Sequence, residues 1–276
     1  MSSPYELKPL NKSTAAFIRS LAKTTNRNQS QRFLVEGIKC CSELLDSNYT
    51  IDFFVVNSDI IINSDNIINS NEHLIITATQ RNIPIYQAKT SIFNTLCDTQ
   101  HPQPIIAIAQ HKTHQLNPNL PFVALDNVSD PGNVGTIIRT CEWFGIQQII
   151  FIGDCVDMYS PKVIRSTMGA AFRMSMIAIE NNVSDINKMI VFFGSIPIFV
   201  ATLEDSPAIN KIKVSSPFGL IVGNESHGVS SFFKELDNSC LFHIPGSGTG
   251  DSLNVAVATG IALYELTGRC LLPKHI

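Results

Sequence analysis

Polar residues in a loop that joins a strand to a helix have types suited to gripping an anion or positioning a reacting hydroxyl. The segment Leu125-Asp-Asn-Val-Ser-Asp-Pro-Gly-Asn-Val-Gly-Thr-Ile-Ile-Arg139 runs from an apolar strand through a polar turn into a helix. Asn133 is predicted to cap that helix. Arg139 can be an ordinary surface cation, but apolar neighbours such as Ile138 favour an anion or a hydrogen-bonding partner for its guanidinium.

A second loop, Gly219-Leu-Ile-Val-Gly-Asn-Glu-Ser-His-Gly228, also places polar residues directly after an apolar strand. Glu225 stands where the strand meets the next helix and can cap it through its negative charge. A hydrolase nucleophile elbow centred on Ser226 is an alternative. The elbow needs a small residue where Asn224 stands, so this alternative ranks last.

A third loop, Phe242-His-Ile-Pro-Gly-Ser-Gly-Thr-Gly-Asp-Ser-Leu-Asn-Val-Ala256, is glycine-rich and precedes an apolar helix. Asp251 replaces the third glycine of a dinucleotide fingerprint, and no lysine follows as in a phosphate-binding loop. Both of those nucleotide sites are therefore disfavoured. Ser252 and Asn254 flank the helix start, where they can cap the helix or face a ligand.

The elements around these loops predict two α/β domains. Residues 1–29 form a basic N-terminal arm, residues 30–110 a small α/β domain, residues 111–121 a linker, and residues 122–276 the domain that carries the three loops. Beyond residue 122 strands alternate with helical patterns, which predicts a mainly parallel sheet flanked by helices. Ligands of such sheets bind at the carboxyl ends of the strands.

Composition indicates a globular protein with an uneven charge distribution. The 276 residues are 44% hydrophobic, and the net charge is −3, yet the first 39 residues hold seven of the 20 basic residues and two of the 23 acidic ones. Such a segment can bind a polyanion, although a solvated helix face would look similar. Neither an apolar N-terminal segment nor a bilayer-length apolar run is found, so we expect a cytoplasmic protein without a membrane partner.

Cysteine and histidine usage suggests neither disulfides nor a metal site. The seven cysteines form an odd set without a C-x-x-C pair, as expected of reduced thiols. His111 and His114 have no Cys or carboxylate partner at ligand spacing, so we predict no metal.

The three loops, in this order, resemble the motifs of the SpoU family of RNA 2′-O-ribose methyltransferases, within the SPOUT superfamily. Asn133 and Arg139 match its first motif, Gly223-Asn-Glu225-Ser-His-Gly228 the second, and Ile244-Pro-Gly-Ser-Gly-Thr-Gly-Asp-Ser252-Leu-Asn254-Val-Ala-Val the third. The resemblance covers roughly residues 118–270. The stretch Arg32-Phe-Leu-Val-Glu36-Gly37 is similar to the substrate-binding domain that many members carry.

This resemblance implies S-adenosylmethionine as methyl donor, a trefoil-knotted C-terminal region and a homodimer with each site at the subunit interface. It assigns Asn133, Arg139, Glu225, Ser252 and Asn254 to catalysis. The cofactor residues that it implies are Thr202, Leu203, Gly223, Asn224, Ile244, Ser252 and Leu253.

The implied reaction is methylation of a ribose 2′-hydroxyl in structured RNA, with 23S ribosomal RNA favoured over transfer RNA. A non-catalytic RNA-binding protein on the same fold is the alternative from another class. Since guanidinium stays protonated, we interpret Arg139 as a clamp on the phosphate and on the developing alkoxide. The residues expected to bind RNA are Arg27, Arg32, Lys39, Arg165 and Ser166.

Overall fold

A computed structural model describes residues 7–61, 65–180, 182–194, 196–202, 205–224, 226–248 and 252–270. The chain divides into two compact units. The first comprises residues 1–113 with 159–172, and the second comprises residues 114–158 with 173–276. The sequence analysis placed 159–172 in the C-terminal domain, but Tyr159 and Phe172 pack their rings against Phe33 of the first unit.

The first unit contains a mixed sheet with helices around it. Its elements up to residue 110 are β1 (Lys8–Pro9), α1 (Lys12–Ser20), α2 (Thr24–Ser30), β2 (Arg32–Glu36), α3 (Ile38–Leu45), β3 (Ile51–Asn57), α4 (Ser58–Ile61), α5 (Asp65–Gln80), β4 (Ile85–Ala88), α6 (Thr90–Phe93), a 3₁₀ helix (Asn94–Leu96) and β5 (Ile105–Gln110). The strand order is β1-β4-β3-β5-β2. β4 runs parallel to β1 and β3, whereas β5 runs antiparallel to β3 and β2.

The basic N-terminal segment is folded into the first unit instead of extending from it. Ala15, Ile18 and Leu21, on and just after α1, are buried in a core that includes Leu34 and Phe93. The apolar face of α1 therefore stabilises this unit, while Lys12 and Lys23 remain exposed. The charge pattern predicted an arm because it gives no sign of the buried face.

The second unit is built on a parallel sheet. Elements beyond residue 114 are β6 (Phe122–Asp126), α7 (Pro131–Trp143), β7 (Gln148–Ile152), α8 (Pro161–Ser166, in the first unit), a 3₁₀ helix (Ala170–Arg173), β8 (Ser175–Ile179), α9 (Val183–Phe193), β9 (Ile198–Ala201), a 3₁₀ helix (Ile209–Lys211), β10 (Gly219–Gly223), α10 (Ser231–Lys234), β11 (Ser239–Phe242) and α11 (Val255–Cys270). The strand order is β11-β9-β10-β6-β7-β8, and each described pair is parallel.

The strands of this sheet end together, which creates one polar edge. Asp126 pairs in register with Gly223 of β10 on one side and with Ile152 of β7 on the other. Phe122, Ile150 and other apolar side chains fill the core behind that edge. The predicted mainly parallel sheet flanked by helices is present, and its loops lie where a ligand site was expected. The trefoil knot stays an expectation from the resemblance.

No helix of the described residues combines the length and the apolar character that crossing a membrane would need.

Candidate active site

The first loop is anchored by an aspartate that sequence analysis did not single out. The Asp126 side chain is fully buried at the end of β6. Its Oδ2 accepts a hydrogen bond from the Ser230 backbone N–H at 2.7 Å, and its Oδ1 accepts one from Asn127 Nδ2 at 2.7 Å. A buried carboxylate needs such donors, so Asp126 fixes the loops after β6 and β10 to each other. A carboxylate at the last position of an otherwise apolar strand was the available signal.

Asp130, and not Asn133, caps helix α7. The Oδ1 atom of Asp130 accepts from the Asn133 N–H at 2.7 Å, and Pro131 occupies the first turn, where its missing N–H costs nothing. The prediction of Asn133 as the N-cap is therefore wrong. Because Asn133 lies inside the first turn, its side chain is available to another partner.

That partner is Asn254 of the third loop. Asn254 Nδ2 donates to Asn133 Oδ1 at 3.0 Å, while Asn254 Oδ1 accepts from the backbone N–H groups of Ala256 at 3.0 Å and Val257 at 3.3 Å. Asn254 thus caps α11 and holds the first loop at the same time. Ser252 is exposed two residues earlier.

Arg139 lies on the exposed side of α7, six residues after Asn133. Its neighbours Ile137 and Ile138 are fully buried, so these two residues face the core and the arginine faces outward. Arg139 forms no hydrogen bond or ion pair with the described residues. A guanidinium in this state can bind a phosphate or a developing oxyanion.

The second loop is a tight turn that requires glycine at its first position. A Cβ on Gly223 would lie 2.2 Å from the Gly228 carbonyl oxygen, so any other residue would clash with the backbone. Asn224 holds the turn: its carbonyl accepts from the Gly228 N–H at 2.8 Å, and its Oδ1 accepts from the Ser226 N–H at 2.8 Å. Glu225, predicted to be catalytic, lies outside the described residues.

The predicted cofactor residues follow three adjacent strands, β9, β10 and β11. The Thr202 N–H donates to the Phe242 carbonyl at 2.9 Å, which joins the ends of β9 and β11. Ile244 is half-buried, and Leu253 is 49% exposed. Leu203 lies outside the described residues. A Cβ on Gly246 or Gly248 would meet no atom within 4 Å, so the main chain of this loop is open to close approach.

Arg27, predicted to bind RNA, is a buried structural residue. It is 2% exposed, and its guanidinium donates to the carbonyls of Leu21 at 2.7 Å and Ala22 at 2.9 Å and to Thr24 Oγ1 at 2.8 Å. These bonds tie α2 to the turn after α1. Its guanidinium is therefore not available to a phosphate in this fold, and we remove Arg27 from the RNA-binding set.

The other predicted RNA-binding cations have acidic partners within the first unit. Arg32 pairs with Asp52, and Lys39 pairs with Glu43. The Lys39 pair is exposed and leaves this cation accessible, since such pairs are weak in water. The Arg32 pair is partly buried, and Arg32 also donates to the carbonyls of Ser30 and Gln31.

Arg165 makes a more buried contact. Its guanidinium lies 3.1 Å from Asp98 Oδ2 and 3.7 Å from Glu36 Oε2, and Glu36 is only 5% exposed. The Ser166 hydroxyl donates to the Lys162 carbonyl at 2.7 Å. The Arg165 contacts hold α8 on the rest of the first unit, whereas the Ser166 bond lies within α8. The predicted contact of both residues with RNA stays a prediction.

A polar pocket of about 350 Å³ opens at the carboxyl edge of the parallel sheet. It sits beyond the ends of β6, β7 and β10, on the far side of β10 from the predicted cofactor residues of β9 and β11. Its lining residues are Asn127, Ser129, Asp154, Asn224, His227, Gly228 and Ser230.

Ser226 gains no support as a hydrolytic nucleophile. The adjacent His227 directs its Nδ1 toward Asn224 Oδ1 at 3.4 Å, and within the described residues no histidine is hydrogen-bonded to the Ser226 hydroxyl. A nucleophilic serine needs a base within hydrogen-bond reach.

A parallel α/β sheet whose polar loops meet at one edge, followed by a helix with an arginine that has no partner among the described residues, is typical of α/β enzymes that act on anionic substrates. Comparison with known families makes the assignment specific. The SpoU rRNA Methylase family matches residues 121–264, and the MRM3-like substrate binding domain matches residues 14–107. The chain belongs to the SpoU rRNA Methylase family.

Similar proteins extend over nearly the whole chain. The 23S rRNA (guanosine(2553)-2′-O)-methyltransferase RlmP of Bacillus subtilis is 28% identical over 250 residues, which are 91% of this chain and 94% of that protein. The crystal structure of an S-adenosylmethionine-bound rRNA methyltransferase from Sinorhizobium meliloti aligns with a TM-score of 0.83 at 28% identity, over 98% of this chain and 99% of that one.

A TrmH-family putative RNA methyltransferase from Porphyromonas gingivalis has a TM-score of 0.77 at 29% identity, over 94% of this chain and 99% of that one. Together these matches confirm the predicted family, the α/β fold class and a methyltransferase that uses S-adenosylmethionine.

Proposed function

We propose that this protein transfers a methyl group from S-adenosylmethionine to a ribose 2′-hydroxyl of ribosomal RNA, with 23S RNA as the substrate. The observation that carries the proposal is the bond between Asn254 and Asn133, which lies on the same helix as Arg139, an arginine with no partner in the part of the chain that the structure describes. It brings the first and third loops together at the polar edge of the sheet. The match of the first unit to a substrate-binding domain, and the similarity to RlmP over almost its full length, favour ribosomal over transfer RNA.

The loops after β9, β10 and β11 fit S-adenosylmethionine. Gly223 brings the backbone of the second loop close, and the open backbone around Gly246 and Gly248 offers amide and carbonyl groups. Leu253, half-exposed, can cover an apolar part of the ligand. When bound, S-adenosylmethionine supplies an electrophilic methyl group. Thr202, Leu203, Asn224, Ile244 and Ser252 complete the proposed set of residues.

The residues of the chain align and polarise the ribose. In-line transfer depends on positioning, and a fixed hydroxyl reacts faster than a free one. Arg139 stabilises the negative charge that develops on the 2′-oxygen and holds the adjacent phosphate. It does not accept the proton, because guanidinium stays protonated. Asn133, fixed by Asn254, orients the sugar with Glu225.

A second copy of the chain is part of the proposal. Trp143 is 82% exposed at the end of α7, and Tyr264 and Val257 on α11 are 65% and 52% exposed. The helices α7 and α11 pack against each other, and the rings of Phe144 and Tyr264 lie 6.4 Å apart, so the exposed apolar side chains lie on neighbouring helices. Exposed apolar side chains that cluster on a globular protein favour an interface. Sedimentation of the wild type as a dimer, and of Trp143→Glu as a monomer, is the expected result.

The direct test is to map ribose methylation. Ribosomal RNA from cells that lack the gene is incubated with the purified protein and S-adenosylmethionine, and 2′-O-methylated nucleotides are located by their resistance to alkaline cleavage. One new site in 23S RNA is expected. A site only in transfer RNA would support the alternative substrate, and cofactor binding without any new site would support a non-catalytic RNA-binding protein. We also propose that the protein acts in the cytoplasm, the location expected from the sequence.

A further inference from the structure

The polar pocket beyond β6, β7 and β10 contains hydrogen-bonding groups that the fold does not use. Asp154 is exposed at its rim, and its carboxylate makes no hydrogen bond or ion pair with the described residues. The Ser129 side chain likewise has no partner among them. His227 is exposed, and a Cβ on Gly228 would meet no atom within 4 Å, so the space beside that residue is open.

The floor of this pocket is rigid. Asn127 adopts a left-handed backbone conformation with φ of 56°, and its Oδ1 accepts from the Asp154 N–H at 2.9 Å. Its carbonyl accepts from Asn224 Nδ2 at 3.1 Å, and its N–H donates to the Ile152 carbonyl at 3.0 Å. Asn127 therefore links the ends of β6, β7 and β10. These hydrogen bonds hold the groups at the rim of the pocket in a fixed geometry, as ligand recognition requires.

Charge and size indicate which part of an RNA the pocket accepts. The carboxylate of Asp154 at the rim and the buried Asp126 beneath it disfavour a phosphate. The volume is at the small end of the range for small-molecule sites, which suits one heterocycle. Proteins that recognise RNA commonly take unstacked bases into such sites, stack them on rings that include histidine and bond their Watson–Crick edges.

The carboxylate oxygens of Asp154 can distinguish among the four bases. An ionised carboxylate offers only acceptors. Guanine presents two adjacent donors, N1–H and N2–H₂, on its Watson–Crick edge, whereas adenine and cytosine present one amino group beside an acceptor and uracil one N–H between two acceptors. Two parallel bonds to one carboxylate are therefore possible for guanine alone.

Building on the proposed function, we propose that this pocket binds an unstacked guanine of the RNA substrate, with Asp154 accepting from its N1–H and N2–H₂ and His227 beside the ring. Asp154 is thus a specificity-determining residue. It lies outside the residues assigned to methyl transfer, so its loss changes which RNA is used and leaves S-adenosylmethionine binding intact.

The test uses the full-length protein and nucleoside 5′-monophosphates as probes. Saturation-transfer NMR should show binding of GMP in preference to AMP, CMP and UMP, and Asp154→Asn should weaken GMP binding about ten- to hundredfold, the discrimination that a two-bond base contact provides. Asp237→Asn is the matched control, because Asp237 is exposed just before β11, at the opposite edge of the sheet. Unchanged GMP affinity in Asp154→Asn, or equal binding of all four nucleotides, overturns the inference.

A second measurement separates this inference from the proposed function. Wild type and Asp154→Asn are compared on the mapped RNA site and on transcripts in which each guanine near that site is replaced by adenine. The wild type should lose activity with one replacement, and Asp154→Asn should no longer distinguish the two transcripts. If the wild type methylates no RNA but binds GMP through Asp154, the proposed function fails and the inference stands. If it methylates RNA with no guanine preference, the inference alone fails. The inference would also be overturned if Mg²⁺, and not GMP, shifts the NMR signal of the Asp154 backbone amide.

Discussion

The side chain of Asn254 donates a hydrogen bond to that of Asn133 over 3.0 Å, across 121 residues of sequence. The same Asn254 caps α11 through its Oδ1. One side chain therefore has two separable functions: its oxygen starts a helix, and its amide nitrogen holds the loop that leads to Arg139.

Asn254→Asp separates these functions. The aspartate keeps the capping oxygen and adds a negative charge at a helix N-terminus, so thermal stability should not fall. It loses the donor to Asn133, so methylation should slow about three- to tenfold, as expected for one lost hydrogen bond. Asn254→Ala is the comparison and should lose both the activity and about 0.5–2 kcal/mol of stability. Full activity in the Asp variant would show that the bond to Asn133 is not used.

Arg139→Ala should abolish detectable turnover, a loss of at least 10²–10³-fold by analogy with oxyanion stabilisers, and leave S-adenosylmethionine affinity nearly unchanged. The reason is that Arg139 has no partner among the described residues, so its removal leaves the fold intact. Single-turnover rates and calorimetry of cofactor binding give the two readouts. Arg139→Lys should recover part of the rate, because it keeps the charge and loses the planar fork. Equal loss of binding and turnover would contradict the clamp.

The basic N-terminal segment is part of the folded core of the first unit, so its role in RNA binding cannot be tested by deleting it. Deleting residues 1–30 would remove the buried Ile18 and Leu21 and expose the core, so a loss of binding would say nothing about charge. Neutralising exposed lysines is the informative change. Lys12→Gln with Lys23→Gln should weaken RNA binding and reduce the slope of log affinity against log salt by about 0.7 per lost phosphate contact. Lys211→Gln with Lys213→Gln, two exposed lysines of the second unit, is the control. An identical slope in both double variants would contradict the assignment.

Glu36 should be a stability determinant of the first unit. Its carboxylate accepts from the Asp98 N–H at 2.7 Å and from the Thr99 hydroxyl at 3.0 Å, with Arg165 nearby. In Glu36→Gln the amide NH₂ replaces one of the two accepting oxygens and faces a donor, so the free energy of unfolding should fall by about 1–3 kcal/mol. Urea denaturation measures the change. The exposed Glu235→Gln should be neutral, and a neutral Glu36→Gln would mean that its contacts contribute nothing net.

Local patterns were enough to predict the alternation of strands and helices beyond residue 122 and the three loops. Apolar runs such as Phe122–Asp126 fix a buried parallel strand, and polar residues after them fix the site edge. Helix α10 begins only at Ser231, because the turn between Asn224 and Gly228 and the bond from Ser230 to Asp126 set the preceding loop.

The remaining features depend on partners far away in sequence. The burial of Arg27 requires carbonyls at the end of α1, and the packing of α8 on the first unit requires Glu36 and Asp98. Asn133 and Asp130 are both good capping residues, and Pro131 selects Asp130, but the bond between Asn133 and Asn254 joins residues 121 positions apart. The pocket needs three strand ends in register. None of these distances is encoded by local spacing.

The cysteines should differ in reactivity in the order of their burial. The seven described thiols are free. Burial raises the pKa of Cys97 to about 12, and it raises the pKa of the fully buried Cys141 further, whereas Cys240 is only partly buried and its pKa is raised less strongly. Because the thiolate is the reactive form and unfolded cysteine has a pKa of about 8.5, a raised pKa means less thiolate and slower labelling at pH 8 in the folded protein. Mass spectrometry after a short exposure to iodoacetamide should find Cys240 and the equally exposed Cys270 modified first and Cys141 modified only in urea. Rapid labelling of Cys141 in the native protein would mean that α7, which carries Arg139, opens on that timescale.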